Sequence, residues 1–188
     1  HTVIVEMQPQ LFPAMLDQEI AMAVEKYVRE KGIEVRTGEK VLEFRGEETV
    51  REIVTDKGLI PADLVVLAVG VRPNVELAKA AGLEIGQSGT IAVNEHMQTS
   101  DPDIYAGGDC AENTHMITGK KMFAAMGSTA NKHGRVIGEN LCGANVRFRG
   151  ILGTGVVKML DMNIGKTGLT EKEAKEAGFE YITTMTTG

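Results

Sequence analysis

Residues 99–112 read Thr-Ser-Asp-Pro-Asp-Ile-Tyr-Ala-Gly-Gly-Asp-Cys-Ala-Glu. Three apolar residues, Ile104, Tyr105 and Ala106, run into two glycines, and Asp109 follows at once. That order predicts a short strand whose carboxyl end opens onto a carboxylate. Open α/β sheets bind their ligands at that edge. Gly107 and Gly108 lack a Cβ, so the backbone there can be approached closely. An ionised aspartate only accepts hydrogen bonds. It therefore suits hydroxyl groups, as in a polyol or ribose, better than a phosphate.

The rest of the chain sets the frame for this stretch. Its 188 residues suffice for one large domain or two small ones. Hydrophobic residues make up 43% and charged residues 24%, which supports a buried core and argues against disorder. The net charge is −6, whereas nucleic acid and anionic membranes both require clustered positive charge, so neither is an expected partner. No apolar run is long enough to span a bilayer, and no signal peptide is evident. Cys110 and Cys142 stand far apart in no ligand pattern. That usage fits a reducing, cytoplasmic setting, a structural role for both thiols and no metal site.

Working outward, Val3, Ile4 and Val5 form a continuous apolar run, as in a buried parallel strand, and Glu6 stands at its end. After a loop with Pro9 and Pro13, Asp17 is expected to cap a helix reaching about Lys31, with Ile20, Val24, Tyr27 and Val28 on one face. Gly32 follows as a helix-ending glycine, and Ile33–Arg36 as the next strand. Strand, helix, strand is a parallel α/β unit. Residues 40–60 change character: short apolar runs around Gly46-Glu47-Glu48 and Asp56-Lys57-Gly58 predict an inserted β-meander. Residues 63–69, Asp-Leu-Val-Val-Leu-Ala-Val, read as the most buried strand of all. Asn74 is expected to cap a short helix from Val75 to Ala81, ending at Gly82, and Ile91–Asn94 to form a strand.

Beyond the opening stretch, His115 lies in a loop without a partner, which favours a packed or solvent-facing role over catalysis. A helix is expected from about Ser128 to Leu141, closed by Gly143. Backbone N–H groups at such a helix start favour negative charge. Thr154–Met159 and Asn163–Leu169 read as strands around an Asp161 turn. Thr170 and Glu173 form a capping box, Gly178 ends that helix, and Tyr181–Met185 reads as one more strand.

Several of these segments together resemble the FAD-dependent pyridine nucleotide-disulfide oxidoreductase family. The opening stretch resembles its second FAD-binding motif. Gly89-Thr90-Ile91-Ala92-Val93-Asn94 resembles the strand before that motif, and Ala130-Asn131-Lys132-His133-Gly134-Arg135 the helix after it. The run from Gly127 to Leu169 is most similar to the CoA-disulfide reductase and NADH oxidase branch. The resemblance implies that Asp109 holds the ribityl chain of FAD, with Gly108 beside it. It implies that Phe123, Ala124 and Ala125 lie at the pyrimidine edge of the flavin, where the helix start stabilises the anionic reduced ring. Glu6 matches the acidic residue that binds the adenosine ribose of NAD and repels the 2′-phosphate of NADP. Gly70-Val71-Arg72-Pro73-Asn74 resembles the crossover between the NAD and FAD domains. There Gly70 lets the backbone approach a nicotinamide or flavin, and Arg72 is as well suited to a structural ion pair as to ligand contact.

The implied architecture is α/β, with partial doubly wound, Rossmann-like NAD- and FAD-binding segments, an inserted β-meander, and the start of an α+β dimerisation domain. Its expected boundaries are 1–71 (NAD-binding), 72–146 (FAD-binding) and 147–188 (dimerisation). The implied activity passes electrons from NADH through FAD to a disulfide, persulfide or dioxygen. The sequence contains no Gly-x-Gly-x-x-Gly turn and no redox cysteine motif. It therefore reads as a piece of the family chain with no catalytic nucleophile, binding cofactor weakly or not at all. Two other readings stand beside this one: a silent cofactor-domain and dimerisation remnant, and a ferredoxin- or nitrite-reductase-type flavoprotein. The expected partner is a second copy of the chain, as a homodimer or a strand-swapped oligomer. A related expectation is that Val3–Val5 pairs directly with Leu64–Val69 or is swapped between subunits.

Overall fold

The structure, a computed structural model, describes residues 1–186. In chain order its elements are β1 (Thr2–Glu6), α1 (Gln18–Glu30), β2 (Ile33–Thr37), β3 (Val41–Arg45), β4 (Glu52–Thr55), β5 (Gly58–Pro61), α2 (Glu76–Ala80), β6 (Asn113–Thr114), β7 (Lys121–Met122), α3 (Gly127–Leu141), β8 (Gly155–Met159), β9 (Met162–Lys166) and α4 (Glu171–Glu176). This is a mixed α/β chain. It divides into two compact units, one made of His1–Ala68 with Gly155–Gly188, the other of Val69–Thr154.

In the first unit, β1 and β2 pair in parallel, from Thr2 opposite Ile33 to Glu6 opposite Thr37. α1 packs beside them because its 3.6-residue period aligns Ala21, Val24 and Val28 on one buried stripe. Leu11, Leu16, Val35 and Ile164 complete that core. Ile164 arrives from the far end of the chain, on the antiparallel hairpin β8–β9. β3, β4 and β5 form the antiparallel meander. Thr55 organises its last turn: its hydroxyl accepts from the Lys57 and Gly58 N–H groups and donates to the buried Glu39 carboxylate at 2.5 Å. The Glu39 N–H in turn donates to the Glu6 carbonyl (3.1 Å), so the meander is tied to the end of β1.

In the second unit, Met97, Ala111 and Val136 form one small core and Val75, Ala78 and Ile91 another. α3 buries Thr129, His133 and Val136. Short pairings replace an extended sheet: β6 with β7, and single bridges Ile85–Ile91, Ile91–Ala111 and Gln98–Tyr105.

Several expectations are corrected. Residues 63–69 form no strand, and Leu64, Val66 and Val69 are 80% or more exposed. Apolar composition there is not matched by a hydrogen-bonding neighbour. Val3–Val5 pairs with Glu34–Arg36 and not with Leu64–Val69, so the direct re-pairing route is not taken. Ile91–Asn94 and Ile104–Ala106 make single bridges in place of strands. Residues 181–186 carry no strand, and the last two residues of the expected 147–188 domain lie outside the described residues. Ile20 is exposed, because Ala21 takes the inward position one residue on. The helix near residue 75 has Val75, not Asn74, at its N-cap, with no side-chain cap bond. Asp17 occupies the N-cap position of α1, but its carboxylate accepts from the Glu171 N–H instead (2.9 Å).

Candidate functional site

The 107–109 turn is held from behind by α3. The Gly108 N–H donates to Nδ1 of His133 at 3.1 Å. Gly108 has φ +83°, a left-handed conformation that glycine adopts without strain. Gly107 is needed for a different reason. A Cβ there would lie 2.9 Å from Ile137 Cδ1 and 3.0 Å from His133 Cβ, so the helix has taken the space a side chain would fill. The sequence reading gave that space to a ligand, but the structure gives it to α3. Asp109 then emerges exposed, with no hydrogen bond or ion pair among the described residues. Cys110 turns back, its Sγ 3.6 Å from the Gly107 carbonyl, as a structural thiol would.

From Asp109 the chain enters β6, which pairs with β7 so that Asn113 faces Met122. Phe123, Ala124 and Ala125 follow directly and are half-buried. The hairpin thus ties the aspartate turn to the segment leading into α3. The cap residue of α3, Met126, contributes no side-chain hydrogen bond to the first turn. Among the described residues the Gly127 and Ser128 N–H groups have no acceptor, which leaves donors pointing out of the helix start. The buried Glu112 accepts from Ser88 Oγ (3.0 Å) and sits 3.6 Å from Lys121 Nζ, which braces the base of this hairpin.

His133 was not singled out by sequence reasoning. The signal was present: Thr129, His133 and Val136 recur at helical spacing, which places a histidine in the buried stripe of α3. Its ring is fully buried and stands edge-to-face with Phe148, centroids 4.4 Å apart at 87°. Burial lowers its pKa below the ordinary 6.5. With Nδ1 accepting, the ring proton sits on Nε2, which has no partner among the described residues. His115 is packed: its Nδ1 accepts from the Ile117 N–H (3.2 Å).

In the first unit, Glu6 stands at the carboxyl end of β1. One carboxylate oxygen accepts from the Gln8 N–H (2.8 Å), which fixes the side chain over the turn. The single arginine of β2, Arg36, is engaged by Glu34 (2.6 Å) and Glu39 (3.6 Å). The Glu34 hydrogen bond raises its pKa further, against the effect of desolvation. Gly70, with φ +97°, lies in the exposed stretch that opens the second unit. No group of three or more His, Cys, Asp or Glu residues suited to a metal occurs among the described residues.

An aspartate turn backed by a helix, a hairpin, and a helix start with free donors together suit a dinucleotide that carries both hydroxyl groups and negative charge. The family model for pyridine nucleotide-disulphide oxidoreductases matches residues 1–134. A CoA-dependent NAD(P)H sulfur oxidoreductase of Pyrococcus furiosus is 46% identical over 167 residues, covering 89% of this chain and 38% of its own. An NADH oxidase of Methanocaldococcus jannaschii is 44% identical over 168 residues, covering 89% and 37%. Among solved structures, an NAD-dependent persulfide reductase from A. fulgidus superposes with a TM-score of 0.90 at 47% identity, covering 94% of this chain and 33% of that one. The chain therefore belongs to the pyridine nucleotide-disulphide oxidoreductase family, on the branch of CoA-dependent persulfide reductases and NADH oxidases. That family is FAD-dependent and uses NAD(P)H. The chain spans less than two-fifths of the length of these curated relatives.

Proposed function

We propose that this chain forms the ribityl-side half of a flavin site, and part of an NADH site, in a flavoprotein oxidoreductase. Electrons pass from NADH through FAD to a disulfide, persulfide or dioxygen. The observation that carries the reading is Asp109: an exposed carboxylate without a partner, on a turn that α3 holds rigid. Its free oxygens fit ribityl hydroxyls, and the unclaimed N–H groups of α3 fit an electron-rich pyrimidine edge beside Phe123, Ala124 and Ala125. Bound FAD would supply the hydride-accepting chemistry. The chain's own residues bind and orient it, and none of them is assigned as the nucleophile. Glu6 is assigned to the NAD ribose. Its carboxylate opposes a 2′-phosphate, and the engaged Arg36 offers that phosphate no free cation. Gly70 is assigned to close approach of the nicotinamide or flavin. The doubly wound domain arrangement, with boundaries near residues 71 and 146, the homodimer and the cytoplasmic setting belong to the same proposal.

The test is Asp109→Ala in the flavin-loaded full-length protein that contains this chain. The visible flavin absorbance retained after desalting should fall, with affinity down about tenfold or more, as expected for losing hydrogen bonds to a charged acceptor. Unchanged flavin retention would sink the assignment.

A further inference from the structure

We infer that His133 is a positioning residue for the flavin turn. As a neutral imidazole accepting through Nδ1, it holds the Gly108 N–H and so presents the Asp109 carboxylate, and flavin is released when the ring takes a second proton. The inference rests on the flavin reading above and goes beyond it, since His133 touches the turn and not the proposed ligand.

The geometry leaves the ring one role. The Gly108 N–H points at Nδ1 from 3.1 Å, so Nδ1 carries no proton. Once doubly protonated, the ring would set an N–H against that N–H, and the hydrogen bond would become a repulsion. The turn cannot slide away to a new contact within this packing. Gly107 already fits against Ile137 and His133 with no room for a Cβ, and Phe148 closes the other side. The residues one turn away along α3 are Thr129, Ala130, Val136 and Ile137, and none of them titrates. The ionisable groups on the other packed elements are Tyr105, Asp109 and Cys110 on and before the turn, Arg147 and Arg149 flanking Phe148, and Glu95 and His96 on the loop bonded to that segment, where Glu95 is taken by Arg147. None of these hydrogen-bonds or ion-pairs with the imidazole among the described residues. No carboxylate therefore stands ready to keep the charged ring in place. Burial alone sets the direction of titration, toward the neutral ring.

The sign follows. The neutral ring is favoured by the fold, so the turn is intact above the ordinary imidazole value of 6.5 and is lost as pH falls below it through the lowered native value. The experiment measures FAD release from the flavin-loaded full-length protein that contains this chain across this range, for the wild type, His133→Asn and His133→Leu. Asparagine can accept from Gly108 at every pH; leucine can never accept. Expected are acid release in the wild type, a flat profile in His133→Asn, and about tenfold weaker retention at all pH in His133→Leu, the effect of one lost hydrogen bond to a half-buried donor. Ring-nitrogen NMR of the flavin-free protein should independently show His133 as the Nε2–H tautomer. Firm FAD binding in the wild type with no pH dependence, or equal acid release in His133→Asn, would overturn this inference alone. Failure of the full-length wild type to bind FAD at any pH would overturn the flavin reading and this inference with it, even with the tautomer as expected.

Discussion

The glycine pair before Asp109 serves two different needs. Gly108 supplies a left-handed φ, and Gly107 supplies space for α3. Gly107→Ala should destabilise the protein by about 1–3 kcal/mol, the cost of overpacking a closed contact. Gly134 offers a control from the same helix: a Cβ there meets nothing within 4 Å. Gly134→Ala should stabilise by about 0.5–1 kcal/mol through helix propensity. Thermal unfolding of the two variants should therefore shift in opposite directions, and a shared direction would refute the packing argument. Asp109 was legible as a site residue because strand, glycines and carboxylate are adjacent in the chain. For His133 the helical spacing announced burial but not its role, because its partner, the Gly108 N–H, lies 25 residues away.

Helix ends show the same contrast among the elements. The spacing of Thr170 and Glu173 announced a capping box, and both of its hydrogen bonds form. Asp17 had the right residue type and position, yet its side chain serves the Glu171 N–H, 154 residues on. Local chemistry could name the cap but not the competitor. Thr170→Ala should cost about 1 kcal/mol, within the usual range for losing an N-cap. Acid should act on the same element. Desolvation disfavours the Glu173 carboxylate, but the Lys166 ammonium at 2.5 Å and the Thr170 N–H outweigh it and hold its pKa below 4.5. Its contribution to stability is thus complete above 4.5 and fades as pH falls through the lowered native value. Denaturant unfolding of the wild type and Glu173→Gln across that range should converge at low pH. The meander was legible because its turns carry Gly46 and Asp56-Lys57-Gly58. The 63–69 strand was misread because apolar residues alone do not supply a neighbouring strand to pair with.

For the whole molecule, the seam between the two units falls within that exposed apolar run, after Ala68. An exposed stretch without helix or strand is where proteases cut first. Limited thermolysis should cleave between residues 63 and 72 before anywhere else. The amino-terminal piece should stay associated under native conditions, because Ile164 of the β8–β9 hairpin is buried in the core of α1 and β2. Two bands on a denaturing gel and one on a native gel is the expected outcome. First cleavage inside α1 or α3 would contradict the division. No sequence pattern foretold that shared core, since its parts are separated by more than a hundred residues. The same feature orders events during synthesis. Val69–Thr154 is one continuous run, whereas the amino-terminal unit is closed by strands translated later. Domains fold as units while the chain emerges. The second unit can thus be complete on the ribosome while the apolar face of α1, made earlier, still waits for Ile164. Residues of α1 thus precede the second unit in synthesis yet are fully buried after it, and in that interval they depend on whatever shields nascent apolar surface in the cell.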